Sequence, residues 1–182
     1  MLLLKKITLI WMAAGYITFY NPLGKTLSCP RVMGEAKWKW KWHGKRGGIA
    51  HRWLPCGTVV YVKGSKKIVK TKVVDRGPFG AIDTEGNYVV ANPPYLKKYW
   101  RKHYANKGKE PTDEEISKLS RVLPEGWTWR CVADVLYSLK PLLGTKGGRQ
   151  PGKVSVSKSV WETVKDMRPT NDVYLASPEK DD

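Results

Sequence analysis

Residues 36–42 read AKWKWKW, a strict alternation that puts Trp38, Trp40 and Trp42 on one face of a ribbon and Lys37, Lys39 and Lys41 on the other. Two readings of the three indoles stay open: packing onto a core, or platforms for sugar rings or bases. Residues 58–63 (TVVYVK) and 67–74 (KIVKTKVV) are β-branched runs separated by Gly64-Ser65, which predicts a hairpin that delivers Asp75 to its end. The Gly77-Pro78 pair then bends the chain. Residues 129–135 predict another strand, with Asp134 placed to cap a turn or helix over 137–143 that Gly144 stops. Residues 152–156 (GKVSV) predict a closing strand.

Between these strands the pattern loosens. Residues 92–128 hold Pro93-Pro94, the basic aromatic run YLKKYWRKHY, and PTDEEISKL, in which Thr112 and Glu115 suit a capping box opening a short helix. This predicts an insertion or lid over a β core at about 83–128. The tail from Val160 alternates weakly, and its acidic end is read as solvated.

At the N-terminus, Lys5 and Lys6 precede fourteen largely apolar residues, Ile7 to Tyr20. That order fits a secretory signal, and the run is short for a membrane span. No small-x-small cleavage site follows, and the run is rich in β-branched and aromatic residues. We therefore read an uncleaved or structural segment ahead of a removed signal; membrane contact by this segment stays open. The 182 residues divide into this segment (1–30), one domain with its insertion (31–160) and a tail (161–182).

Composition adds charge. Thirty-three Lys and Arg against 16 Asp and Glu give a net charge of +17, spread from Lys5 to Lys180. This favours attraction to a polyanion: nucleic acid, an anionic membrane surface, or a cell wall. Cys29, Cys56 and Cys131 show no CxxC or Cys/His ligand spacing, which argues against a metal site. A Cys56–Cys131 disulfide and three reduced, half-buried thiols both stay open.

The ordered set GEAKW (34–38), GGIAHRWLPCGTVVYV (47–62), VVDRGPFG (73–80) and CVADVLYSLKPLLG followed by GKVSV (131–156) resembles the double-psi β-barrel of the rare lipoprotein A-like lytic transglycosylases. Barwin, expansins and the family 45 endoglucanases are related in fold. The resemblance covers residues 34–80 and 129–156, and its specific part is AH-x-x-LP-x-GT followed by DRGPF. It implies a mainly β chain, a six-stranded double-psi barrel with a helical or loop insertion and short helices.

For function, the resemblance implies cleavage of peptidoglycan glycan strands without metal or cofactor. Asp75, matching the acid of DRGP, would be the general acid and base. His51, from the AH motif, would face the same groove and orient that acid or the sugar. Trp38, Trp53 and Arg76 would contact substrate. A lytic transglycosylase needs one acid, which protonates the glycosidic oxygen and then helps the sugar's own 6-hydroxyl close an anhydro ring; hydrolysis ordinarily uses two. No acid lies between Glu35 and His51, so Asp83 and Asp134 are the nearest second carboxylates. Partners are peptidoglycan or another anionic glycan, with virion or cell-envelope proteins beside it. Size, basic surface and the large insertion, rather than any motif, lead us to expect an extracytoplasmic setting, at the cell envelope or on a bacteriophage virion. Two other classes remain: a non-catalytic glycan-binding or structural barrel, and nucleic-acid binding, which has charge and interleaved aromatics in its favour but no specific motif.

Overall fold

The apolar N-terminal run forms β1 (Leu9–Tyr20), followed by β2 (Thr26–Pro30) and β3 (Lys39–Lys41). Next come β4 (Ile49–Ala50), β5 (Val59–Lys63), β6 (Ile68–Asp75), β7 (Gly80–Ile82) and β8 (Tyr88–Val90). Two helices, α1 (Pro93–Ala105) and α2 (Asp113–Leu119), lead to β9 (Thr128–Trp129), β10 (Ala133–Leu136), α3 (Lys140–Leu143), β11 (Gln150–Ser157) and α4 (Lys158–Val164). This is a computed structural model, and it describes residues 7–30, 39–41, 44, 47–144 and 148–177.

Six strands close a barrel in the order β1-β10-β4-β6-β5-β11. Parallel pairs (β1 with β10, β4 with β6) are mixed with antiparallel ones. The order makes two consecutive barrel strands leapfrog a third, twice: β1 and β4 flank β10, and β6 and β10 flank β4. These are the two interlocked psi connections of the expected fold. The 58–63 and 67–74 runs form the expected hairpin, in register from Val59↔Lys72 to Lys63↔Ile68.

The barrel starts at Leu9, within the 1–30 segment that the sequence pattern sets apart from the 31–160 domain. Strand β1 pairs with β11 from Leu9↔Ser157 to Ile17↔Gln150 and with β10 from Ile17↔Ala133 to Tyr20↔Leu136. Its β-branched and aromatic residues suit a long strand, and burial of Met12, Ala13 and Ile17 fixes its face. Ile17 joins Ile49, Val60, Val73, Val135 and Val154 in the barrel core.

The predicted 129–135 strand is split. Its first part joins the sheet β8-β7-β9, with Arg130 N–H donating to Gly80 O, whereas Val132 N–H donates to Tyr16 O on the barrel. The insertion has its own small core of Ala81, Ala91, Leu96, Leu123 and Trp129. Thr112 and Glu115 form the expected capping box, and Gly144 ends α3 with φ 77°. Residues 173–175 of the tail dock on Trp129 by two backbone hydrogen bonds, and Tyr174 packs against both cores. No helix among the described residues is long and apolar enough to cross a membrane.

Gly48 enters β4 at φ 155°, and a Cβ there would collide with Val74 Cγ2. Gly48→Ala is therefore expected to cost about 2–3 kcal/mol, from overpacking plus backbone strain. A urea midpoint unchanged from wild type would refute this.

Candidate functional site: a carboxyl pair beside the psi loop

Asp75 ends β6, and its carboxylate is gripped by backbone and side chain together. Oδ1 accepts from Ser28 N–H at 2.8 Å and from Arg76 N–H at 2.9 Å, while Oδ2 accepts from the Tyr20 hydroxyl at 3.0 Å. Strand β2 brings Ser28 there because Leu27 packs with Val74, Leu136 and Tyr20 in a small cluster. The carboxylate thus sits where an outer apolar patch ends.

Asp134 lies on the same row of the barrel. Ala50 of β4 is in register with Asp134 on one side and Asp75 on the other. With strands ~4.8 Å apart, two steps place the Cα atoms about 10 Å apart. Thr18 and Asp134 are also register partners, and Thr18 Oγ1 donates to Asp134 Oδ1 at 2.8 Å. Thr18, Tyr20 and Asp134 have the strand parity opposite to Ile17, Ala133 and Val135, whose side chains fill the core. Both acids remain partly exposed.

The electrostatics tie these groups together. Burial pushes the Asp134 pKa up to about 6, with the Asp75 charge adding to the rise and the Thr18 hydrogen bond opposing it. Burial, then the Asp75 charge and hydrogen bond, raise the Tyr20 phenol well above its ordinary range. Tyr20 therefore stays a neutral donor to Asp75.

A carboxyl raised in the folded state binds its proton more tightly than the unfolded chain does, so stability falls as pH climbs from about 4 to about 6. Asp134→Asn keeps an acceptor for Thr18 and removes that cost. It is expected to stabilise the protein by on the order of 2–3 kcal/mol at pH 8 and to do nothing at pH 3. Thermal melts at both values check this, and equal gains at both would contradict it.

His51 does not reach this pair. Its backbone N–H donates to Asp75 O at 3.1 Å, but the ring is 0% exposed. Nδ1 accepts from Trp53 N–H and Leu54 N–H, and Nε2 has no hydrogen-bond partner among the described residues. Burial, reinforced by Arg52 and Arg76, holds the ring neutral. The motif histidine organises the 51–54 turn instead of facing a groove.

Arg76 turns away from Asp75. Its guanidinium donates to His51 O at 3.3 Å, to Leu54 O, and to Cys56 Sγ at 3.3 Å, bracing the same turn. Trp53 is 3% exposed and donates from Nε1 to Asp172 at 3.2 Å, so it packs inward and offers no stacking face. Trp38, His43 and Glu35 lie outside the described residues, and of the WKW ribbon only the 39–41 backbone is described, as β3 paired with β2.

Asp83 accepts from Glu85 N–H and Asn87 N–H in its own turn, away from the pair. Asp134 makes no cap: the turn after β10 has no side-chain cap at all. The disulfide is Cys29–Cys56, and Cys131 is a buried free thiol, which corrects the Cys56–Cys131 alternative. Cys131 precedes β10, whereas Cys29 on β2 comes within a Cα distance of 5.5 Å of Cys56.

Sequence reasoning passed over Thr18, Tyr20 and Ser28. The signal was the polar alternation of Thr18 and Tyr20 inside a run read as apolar. Among the described residues, no group of three or more His, Cys, Asp or Glu is placed to hold a metal ion. No protein-family model matches the chain, and no curated protein matches it.

Proposed function

We propose that the protein is a lytic transglycosylase-like enzyme that cleaves the glycan strands of peptidoglycan at the Asp75–Asp134 pair. The observation that carries this reading is the shared register across Ala50, which sets two partly exposed carboxyl groups on one row, with burial pushing Asp134 toward its protonated form. Glycosidases hold their paired carboxyls roughly 5–9.5 Å apart. The raised proton affinity of Asp134 suits the acid, and the three hydrogen bonds to Asp75 fix where its carboxyl group points.

In this mechanism Asp134, protonated up to about pH 6, donates to the glycosidic oxygen as the bond to the leaving sugar breaks. Asp75, fixed by Ser28, Arg76 and Tyr20, faces the positive charge that develops on the ring. The deprotonated Asp134 then takes the proton of the sugar's 6-hydroxyl as that oxygen closes the anhydro ring. The net charge of +17 favours retention on an anionic wall, in a cell-envelope or virion setting.

A second reading, glycan binding without cleavage, is favoured by the burial of His51, which takes the expected partner of the acid out of the site. Digestion of purified peptidoglycan with product identification by mass spectrometry separates the two. Anhydro-muropeptides are the expected products. Retained binding with no release would move the protein to the second reading.

A further inference from the structure

The buried side of α1 is Leu96, with Trp100 anchored by its Nε1 donating to Val122 O at 2.9 Å. The neighbouring flank is built differently. Tyr95 is 39% exposed, Tyr99 and Trp127 are half-buried, and their rings meet at the surface. The Tyr95–Trp127 and Tyr99–Trp127 centroids are 6.4 and 5.7 Å apart, and Tyr99 stacks on His103 at 6.2 Å. Lys98 and Lys102, three and seven residues beyond Tyr95, border this flank and are exposed. The helix carries no acid: Arg101, on the opposite flank, reaches across to Asp113 at 3.4 Å.

We propose that Tyr95, Tyr99 and Trp127 form a platform for the pyranose rings of an anionic glycan strand, whose carboxylates meet Lys98 and Lys102. Tyr99 meets Trp127 edge to face and Tyr95 tilts against it at 38°, a patch of ring surface that suits the C–H face of a sugar lying across it. Nucleobases stack on free ring faces, whereas Tyr99 already gives one face to His103, at an interplanar angle of 12°. A helix lying on a membrane presents a free apolar face, whereas the apolar side of α1, Leu96 and Trp100, is turned into the small core of the insertion. The lysines add charge complementarity along one border. The platform is separate in sequence and in cluster from Asp75 and Asp134, and it stands whether or not that pair cleaves.

The test is co-sedimentation of the full chain with purified peptidoglycan at physiological salt, alongside a neutral chitin oligosaccharide titrated by tryptophan fluorescence. Tyr95→Ala/Tyr99→Ala is expected to weaken both ligands at least tenfold. Lys98→Glu/Lys102→Glu, at exposed positions that leave the fold intact, is expected to weaken peptidoglycan several-fold and leave the neutral oligosaccharide unchanged. Both readouts are of binding and need no cleavage, so these losses in a protein that releases no anhydro-muropeptides would count against the carboxyl pair and leave the platform standing. Unchanged peptidoglycan affinity in the lysine variant would overturn the proposal. So would losses confined to a single-stranded oligonucleotide or to anionic lipid vesicles.

Discussion

Asp75→Asn is expected to lower release of anhydro-muropeptides by about 10²–10³-fold, the range that one preorganised electrostatic stabiliser contributes. The amide oxygen still accepts from Ser28 N–H and Arg76 N–H, so the β6 end and the psi loop keep their shape. What disappears is the negative charge beside the bond being broken. Asp134→Asn should lose a comparable factor by a different route, because its proton is gone. The wild-type rate should fall as pH rises through about 6, where Asp134 gives up its proton. Wild-type activity that survives Asp75→Asn intact would remove the carboxyl pair from the chemistry.

Loss of the Cys29–Cys56 disulfide is expected to cost roughly 3.5 kcal/mol, from the loop-closure entropy of a crosslink spanning 27 residues. The bond also holds the site. Cys29 follows Ser28, whose N–H grips Asp75, and Cys56 Sγ accepts from Arg76, the residue that follows Asp75. Reduction or Cys29→Ser/Cys56→Ser should therefore lower the urea midpoint and also reduce glycan release per folded molecule. Cys131→Ser, at a thiol outside the bond, should leave release unchanged. Equal midpoints with and without reductant would show that the crosslink does not constrain the unfolded chain as argued.

The stability effects expected of Gly48→Ala and Asp134→Asn concern the same few residues. Gly48 lets β4 thread between β10 and β6, and only that strand makes Asp134 and Asp75 neighbours. The catalytic reading and the barrel geometry therefore depend on one another at Ala50.

Local pattern determined much of this protein. Alternation over 58–74 sets the β5–β6 hairpin and places Asp75 at its end; Thr112 and Glu115 start α2; Gly144 stops α3. These features rest on contacts a few residues apart, so a short window contains them. Strand partners are set by closure of the whole barrel, and no window shows it. Hence residues 7–20 read only as an uncleaved or structural segment, with no partner, and it is pairing with β10 and β11 that buries Ile17 and turns Thr18 and Tyr20 toward the two acids. The same closure sent His51 and Trp53 into the core and drew Cys29 to Cys56. The sequence identified Asp75 as an acid at a strand end. Tertiary structure alone chose Asp134 as its partner, because a register across two strands joins residues 59 positions apart.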